Sequence, residues 1–420
     1  MALSGFRDFY PDQCAARNAI FSIWRDVARR YGFVEYDGPP LEPLDLFTKK
    51  SGPEIVGQLY NFKDKGDRDV ALRPEMTPTL ARMVTARHKD FKKPLKWFSI
   101  PQVYRYERPQ KGRGREHYQF NCDIIGEASL EADVELIALL IDTLRAFGLT
   151  EKDFVIRLSD RQFWTDFMDA KAVPEDQRHA FIQAIDKSER EPREKTAEKL
   201  GPLANEIFAI LADAASAKSD RLDTVETGLR HRGLQDYVKR DYTVVRGLAY
   251  YTGVVFEAFD RTGEFRAIAG GGRYDTLLKN LGDVDLPALG FGMGDVVLGE
   301  ILKSRSPNSS TNGLNLYVSI MNNDYRGEVM RLISRCREAG LSTDFPFRPG
   351  SWGKQADTAQ EKGAAYLCVV GDLMKDGNKV QVRNLATRTD ETMILDDVPG
   401  YVGSMLGIRL GNPVNPVNPV

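Results

Sequence analysis

The stretch YRYERPQKGRGREHYQFNCDIIG, residues 104–126, holds the densest chemistry in the chain. Arg105 and Glu107 alternate, so on a strand they project to one face and set a cation beside an acceptor. Arg108, Lys111, Arg113 and Arg115 then spread over a segment containing Pro and Gly, which suits cations that move to enclose phosphates. The same run also reads as a hairpin with a basic tip. Between Phe91 and Glu116 eight Lys or Arg stand against two Glu, while the whole chain has 58 basic and 60 acidic residues and a net charge of −2. A polyanion site, or merely a solvated basic surface, is therefore local, and overall charge makes no case for nucleic-acid binding.

Three other clusters carry chemistry. In ALRPEMT, Glu75 sits among apolar and hydroxyl residues, where a carboxylate can hold an ammonium group; a strand-end acid paired with Arg73 is the plainer alternative. In VVRGLAYYTGVVFE, Arg246 precedes a glycine and the pair Tyr250 and Tyr251, flat walls with polar tips. On a strand, adjacent tyrosines point to opposite faces. In AIAGGGRYDTLL three glycines let a ligand approach the backbone, with a simple turn as the alternative. No GxxxxGK[ST] and no GxGxxG strand-to-helix turn is present, and no Ser or Cys has a partner for nucleophilic attack. Electrostatic stabilisation and positioning are the chemistry that remains.

The elements that position these residues follow from periodicity. Asp12 to Tyr31 reads as an amphipathic helix stopped by Gly32. FVEYDGPPLEP reads as a strand and a turn, since its prolines bar a continuing helix. QLYNF, VALRP, KWFSIPQVYRY and YQFNCDIIG are β-type runs without a long crossover helix between them, the pattern of an antiparallel sheet. Glu131 to Phe147 reads as a helix packed on that sheet. Residues 162–235 read as a helical insertion with a solvated face of mixed charge. YTVV, GVVFEAF and FRAIAGGG then resume the sheet, so the core domain is discontinuous. KSRSPNSSTNG marks a linker, beyond which strands and helices alternate as in a mainly parallel βαβ sheet. The expected division is a catalytic domain over 1–161 and 236–302, the insertion 162–235, a linker 303–313, an α/β domain 314–405, and a tail 406–420 whose NPVNPVNPV repeat lacks core-forming capacity.

Length and composition bound the rest. A chain of 420 residues with 42% hydrophobic and 28% charged residues accommodates two to four cores and fits neither disorder nor a membrane protein. Four scattered cysteines and four histidines support neither a disulfide framework nor a structural zinc site. The start MALSGFRDFYPDQ has no secretion or import pattern, so the cytoplasm is expected.

Together these segments resemble the histidyl-tRNA synthetases, class II aminoacyl-tRNA synthetases, over nearly the whole chain. YDGPPLEP stands as the motif 1 segment, YRYERPQKGRGREHYQFNCDIIG as motif 2, and RGLAYY with GGGRYD as the histidine-specific pair; LRPEMT and the C-terminal α/β segment also match. The resemblance implies an α+β fold with a six-stranded antiparallel catalytic sheet flanked by helices, a homodimer built through motif 1, and an anticodon-binding domain from about Leu314. It implies histidine, ATP with Mg2+, and the histidine tRNA as ligands, and no membrane. Histidine is activated to histidyl-adenylate and transferred to the tRNA 3′ end. Carried across, Arg105 holds the α-phosphate, Glu107 the adenine side and Arg113 the outer phosphates. Glu75, Thr77 and Gln119 bind the α-amino group, while Asp123, Tyr250, Tyr251 and Tyr274 surround the imidazole. Arg246 stabilises the pentavalent phosphate in place of a metal; no metal ligand is expected among the side chains. In the motif 3 segment GFGMGDVVL, Val297 stands where the family has an ATP-contacting Arg, and the mobile cations of motif 2, Arg113 foremost, are expected to compensate. The alternative is a non-catalytic histidine-binding paralogue such as the regulatory subunit of ATP phosphoribosyltransferase.

Overall fold

The computed structural model describes residues 2–48, 57–110, 112, 114–245, 250–305 and 313–408, in two compact units that divide after residue 307. The strands of the first are β1 (Val34–Glu35), β2 (Leu41–Pro43), β3 (Tyr60–Lys63), β4 (Asp69–Leu72), β5 (Leu95–Ser99), β6 (Gln102–Tyr104), β7 (Glu116–Ile125), β8 (Phe154–Asp160), β9 (Val238–Arg240), β10 (Val254–Asp260), β11 (Ala269–Arg273) and β12 (Ala288–Gly294). The main sheet runs β1-β5-β7-β12-β11-β10-β8-β9, with β6 also on β7, and β2-β4-β3 make a separate small sheet. Its six central described strands are antiparallel throughout. The edges depart from the sequence expectation, because β1 is parallel to β5 and β9 to β8. Parallel pairing needs a long crossover, and each edge has one: the small sheet with the Thr77–Arg87 helix in the first case, the insertion in the second.

Alternation along β7 divides the sheet into a dry back and a polar front. Phe120, Cys122 and Ile124 enter the main apolar core together with Leu136, Ile137 and Leu140 of the Leu130–Ala146 helix. Trp24, fully buried on the Pro11–Arg30 helix, stacks on Phe120 with ring centroids 5.4 Å apart. Gly32 and Gly148, at φ +75° and +79°, turn the chain out of these two helices, where residues with a Cβ would be strained. The insertion helices from Arg161 to His231 add Trp164, Phe181, Ile207, Leu222 and Leu229 to the same core, so the insertion is packed into the unit.

Three local readings change. Residues 242–245, strand-like in composition, form a turn: the Asp241 carboxylate accepts from the backbone N–H of Thr243 at 3.1 Å and its hydroxyl at 2.6 Å, a local bond that competes with a ladder. The strand nearest to it is β9, just before. In FRAIAGGG only Ala269 onward is strand. The Asp295–Arg305 helix runs three residues into the expected linker; residues 306–312 of that linker and 409–420 of the tail lie outside the described residues.

The second unit contains β13 (Leu316–Ile320), β14 (Thr343–Asp344), β15 (Tyr366–Val370), β16 (Lys379–Asn384) and β17 (Asp390–Ile394), ordered β14-β13-β15-β16-β17. The first three are parallel, through the Arg326–Glu338 and Trp352–Glu361 helices, but β16 and β17 are antiparallel. The sheet is thus mixed, because the connections into β16 and β17 are too short for a helical crossover. Leu316, Val318, Val329, Leu332, Val380 and Val398 form a core of its own. Among the described residues no helix is long and apolar enough to cross a membrane.

Two glycines give opposite expectations. A Cβ at Gly271 would lie 2.3 Å from the Gly290 carbonyl oxygen and 2.7 Å from the Phe291 Cα, both backbone, whereas one at Gly299, inside a helix, meets nothing within 4 Å. Gly271→Ala is expected to destabilise by about 1–3 kcal/mol or more and Gly299→Ala to stabilise by about 0.5–1 kcal/mol. Denaturant midpoints of the two variants read the signs directly.

Candidate active site

The front of the sheet has a floor of polar side chains leaning over glycines. Gln119, Asn121 and Asp123 point to one face of β7, and in register on β12 stand Gly294, Gly292 and Gly290. Gly272 and Gly270 of β11 continue this clearing behind Gly290 and Gly292. A Cβ at Gly290 would fall 2.0 Å from the Asp123 Oδ1, and one at Gly292 2.7 Å from the Gln119 Nε2. The glycines thus give the polar row the room that any other residue would fill.

One wall joins two carboxylates. Glu75, 4% exposed, lies between β4 and the Thr77–Arg87 helix, which Thr77 opens. The Tyr250 hydroxyl donates to its Oε2 at 2.9 Å. The Tyr250 ring sits 4.9 Å from that of Tyr251 and 5.8 Å from that of Tyr274, and the Tyr274 hydroxyl donates to the Asp123 Oδ1. All three tyrosines therefore belong to the pocket. The expectation that Tyr250 and Tyr251 oppose each other fails, since they precede β10 and are not on a strand. The Arg73 alternative for Glu75 also fails. Arg73 is buried and bonds Asp37 at 3.2 Å, the Gly38 carbonyl at 2.7 Å and the Gln102 carbonyl at 3.0 Å, tying YDGPP to β6.

The electrostatics follow from enclosure. Burial lifts the Asp123 carboxyl from its ordinary 3.8 to about 7, only partly opposed by the bond from Tyr274. Burial, with Glu75 and Asp123 respectively beside them, pushes the Tyr250 and Tyr274 hydroxyls well above their usual range and keeps them donors. His117, two residues before Gln119 on β7, is pushed down to about 3 by desolvation and by the Arg105 and Arg7 charges, so its ring is neutral. The Arg273 of GGGRYD is structural: buried, it pairs with Asp133 and bonds the Glu127 and Ser129 carbonyls at 3.1 and 3.0 Å, which fixes the residue before Tyr274.

The basic segment is a hairpin loop between β6 and β7, whose Tyr104 and Glu116 pair. Arg105 and Glu107 are not on the strand. The Glu107 N–H bonds the Arg105 carbonyl at 2.8 Å, a tight turn that breaks the two-residue alternation. Arg105 instead donates from Nε to the Pro74 carbonyl at 3.0 Å, beside Glu75, while Glu107 is buried. Arg113, Arg246 and Lys111 lie outside the described residues. Val297 packs against the main core, and a Cβ at Gly112 of the loop would come within 3.9 Å of it.

Sequence reading missed two sets of residues. Asn121 and His117 share the face of Gln119 and Asp123, and period-two counting from those residues would have found them. Arg7 had no local signal. It bonds Glu116 at 2.6 Å and Asp295 at 2.9 Å, while Asp295 also accepts from the Tyr118 N–H at 2.9 Å; the Gly5 carbonyl takes the Arg115 N–H at 2.8 Å. The N-terminal segment thereby laces the base of the loop to the start of the Asp295–Arg305 helix.

This fold is shared with solved aminoacyl-tRNA synthetase structures. The histidyl-tRNA synthetase of Nostoc sp. matches with a TM-score of 0.79 at 21% identity, covering 96% of this chain and 99% of that one, a likeness of fold alone. The family model for histidyl-tRNA synthetase matches residues 5–294, and that for the anticodon binding domain residues 315–405. The chain belongs to the histidyl-tRNA synthetase family. It is 44% identical over 425 residues to the histidine–tRNA ligase of Opitutus terrae, covering 96% of this chain and 97% of that one. With the enzyme of the same name from Thermoplasma volcanium it shares 36% over 420 residues, 95% and 97% of the two chains.

The raised Asp123 carboxyl sets a pH dependence. Between the unfolded value near 3.8 and the folded value of about 7 the folded state holds a proton that the unfolded chain has released. Its contribution to stability is therefore lost as pH rises through that window. The ligand-free thermal midpoint of Asp123→Asn is expected to fall less between about pH 5 and about pH 8 than that of the wild type. Equal falls would mean that burial of this charge carries no such penalty.

Proposed function

We propose that the protein is a histidine–tRNA ligase. A histidine carboxylate oxygen attacks the α-phosphorus of ATP, the bond to pyrophosphate breaks, and histidyl-adenylate forms. A ribose hydroxyl at the 3′ end of the histidine tRNA then attacks the acyl carbon, loses its proton, and AMP leaves. One observation carries the reading: the tyrosine wall joins two buried carboxylates, Glu75 and Asp123, so the pocket offers an acceptor at each end to a ligand with a donor at each end. Histidine has its ammonium at one end and its imidazole N–H at the other.

In this reading Glu75, Thr77 and Gln119 hold the ammonium, and Asp123, Tyr250, Tyr251 and Tyr274 hold the imidazole. Arg105, anchored beside Glu75, holds the α-phosphate and so aligns it with the carboxylate, a gain from orientation and charge stabilisation. Glu107 takes the adenine side, Arg113 the outer phosphates, and Arg246 the charge developing at the pentavalent phosphorus. Mg2+ travels with the ATP phosphates, the oxygen ligands it prefers; among the described residues no three His, Cys, Asp or Glu side chains converge to hold it. A second copy of the chain covers the motif 1 region, a reading supported by the exposed apolar Val34 and Leu41. The cytoplasm, where the tRNA is charged, is the proposed location.

The second unit serves the tRNA. Phe347 and Trp352 are 79% and 41% exposed, and Arg383 lies 4.9 Å over the Trp352 ring. Arg326 bonds the Phe347 carbonyl. Exposed rings among cations are the platform on which unpaired bases stack.

Three measurements test the proposal. Histidine-dependent exchange between ATP and pyrophosphate is expected in the wild type, and its absence would favour the regulatory paralogue. Glu75→Gln keeps shape and removes charge, so calorimetry should show histidine and histidinol both weakened by roughly 1.5–3 kcal/mol. Phe347→Ala should leave exchange unchanged but slow charging at limiting tRNA by roughly tenfold, the loss of one stacked base. Unchanged charging would remove this surface from tRNA recognition.

A further inference from the structure

The cations around the motif 2 loop are unevenly committed. Arg7 is neutralised by Glu116 and Asp295. Arg115 bonds the Glu107 and Ser4 carbonyls and stacks on Tyr106 at 4.4 Å. Arg105 is held by the Pro74 carbonyl. A further cation reaches the loop from another part of the chain. Arg266, exposed on the connection from β10 to β11, donates from Nη2 to the Gln110 Oε1 at 3.0 Å. Among the described residues it has no carboxylate within ion-pair distance.

The place of this residue in the sheet gives the bond its meaning. Ala269, three residues after Arg266, is in register with Met293, and Gly294 after it with Gln119. The connection therefore borders the start of the Asp295–Arg305 helix, the corner where Val297 lies under Gly112. Val297 has neither donor nor charge, so it gives this corner of the loop no cation. A guanidinium tethered, among the described residues, to a neutral amide gains by exchanging that partner for a phosphate oxygen, because a charge-assisted bond is roughly twice as strong as a neutral one.

We propose that Arg266 is a phosphate-binding residue of this site: when ATP enters, its guanidinium leaves Gln110 and pairs with the β- and γ-phosphates, supplying the cation that Val297 cannot. The inference rests on the ATP-dependent reading above. It assigns to the β10–β11 connection a substrate contact that lies outside motifs 1, 2 and 3, and it makes Gln110 a resting partner for the empty state.

Calorimetry on the full chain with ATP, AMP and histidine separates this role from a structural one. Arg266→Ala is expected to weaken ATP by roughly tenfold or more, to leave AMP and histidine within about twofold, and to raise the KM for pyrophosphate in the reverse reaction. Arg266→Lys, which keeps the charge without the planar fork, should recover part of the ATP affinity. Unchanged ATP affinity in Arg266→Ala overturns the proposal. Equal losses for ATP and AMP, or a parallel loss for histidine, overturn it too, because they place the residue at the nucleoside or in the fold. Wild-type exchange is scored separately: its absence defeats the ligase reading, while the contrast between ATP and AMP still judges Arg266.

Discussion

The pocket depends on side chains that are absent. Gly290 and Gly292 stand where a single methyl group would collide with Asp123 and Gln119, and Gly271 where one would strike the backbone of β12. This steric condition orders what surrounds it. The polar row of β7 can lie across its neighbour instead of standing upright, and its carboxylate can reach Tyr274. The back of the same strand is filled by Phe120 and Cys122 against a helix buried along almost its whole length. A strand with a close-packed rear and a cleared front holds its front groups in fixed positions, which is what orientation-based catalysis requires.

Holding two acids in such a place is costly, since several kcal/mol oppose each buried charge. The protein meets this cost differently at the two ends of the wall. At Glu75 the Tyr250 hydroxyl donates to the carboxylate, and Arg105 bonds the carbonyl of the residue before it. At Asp123 burial dominates and lifts the carboxyl to about 7, only partly opposed by the Tyr274 bond. A donor bonded to it favours the charged form, so binding and charge are coupled at that end. Arg273 and Asp133, an enclosed ion pair just behind the wall, fix the backbone from which Tyr274 reaches across.

Much of this was legible in the sequence, for physical reasons. Helices with one apolar stripe, such as Pro11–Arg30, and those ending at left-handed glycines were readable because both signals are local. The residues assigned to histidine gather in one place, each within or beside a segment of distinctive composition. Less legible was whatever depended on distant partners. The parallel edges of the sheet arise from long crossovers, the turn at Asp241 from one side-chain oxygen, and the departure of Arg105 and Glu107 from strand geometry from a bond two residues long. Nothing near Arg7 or Arg266 in the sequence marks them, because their partners come from other elements.

The lacing by Arg7 has a consequence for how the molecule is made. Its two carboxylate partners are 109 and 288 residues further along the chain, and both are buried. During synthesis the guanidinium precedes both carboxylates, and Asp295 appears only when nearly all of the first unit has been translated. Contacts of such sequence separation repay their closure entropy late. Arg7 thus waits for partners made long after it, and the base of the β6–β7 loop is sealed only once Asp295 is in place. Completion of the site and completion of the unit become the same event.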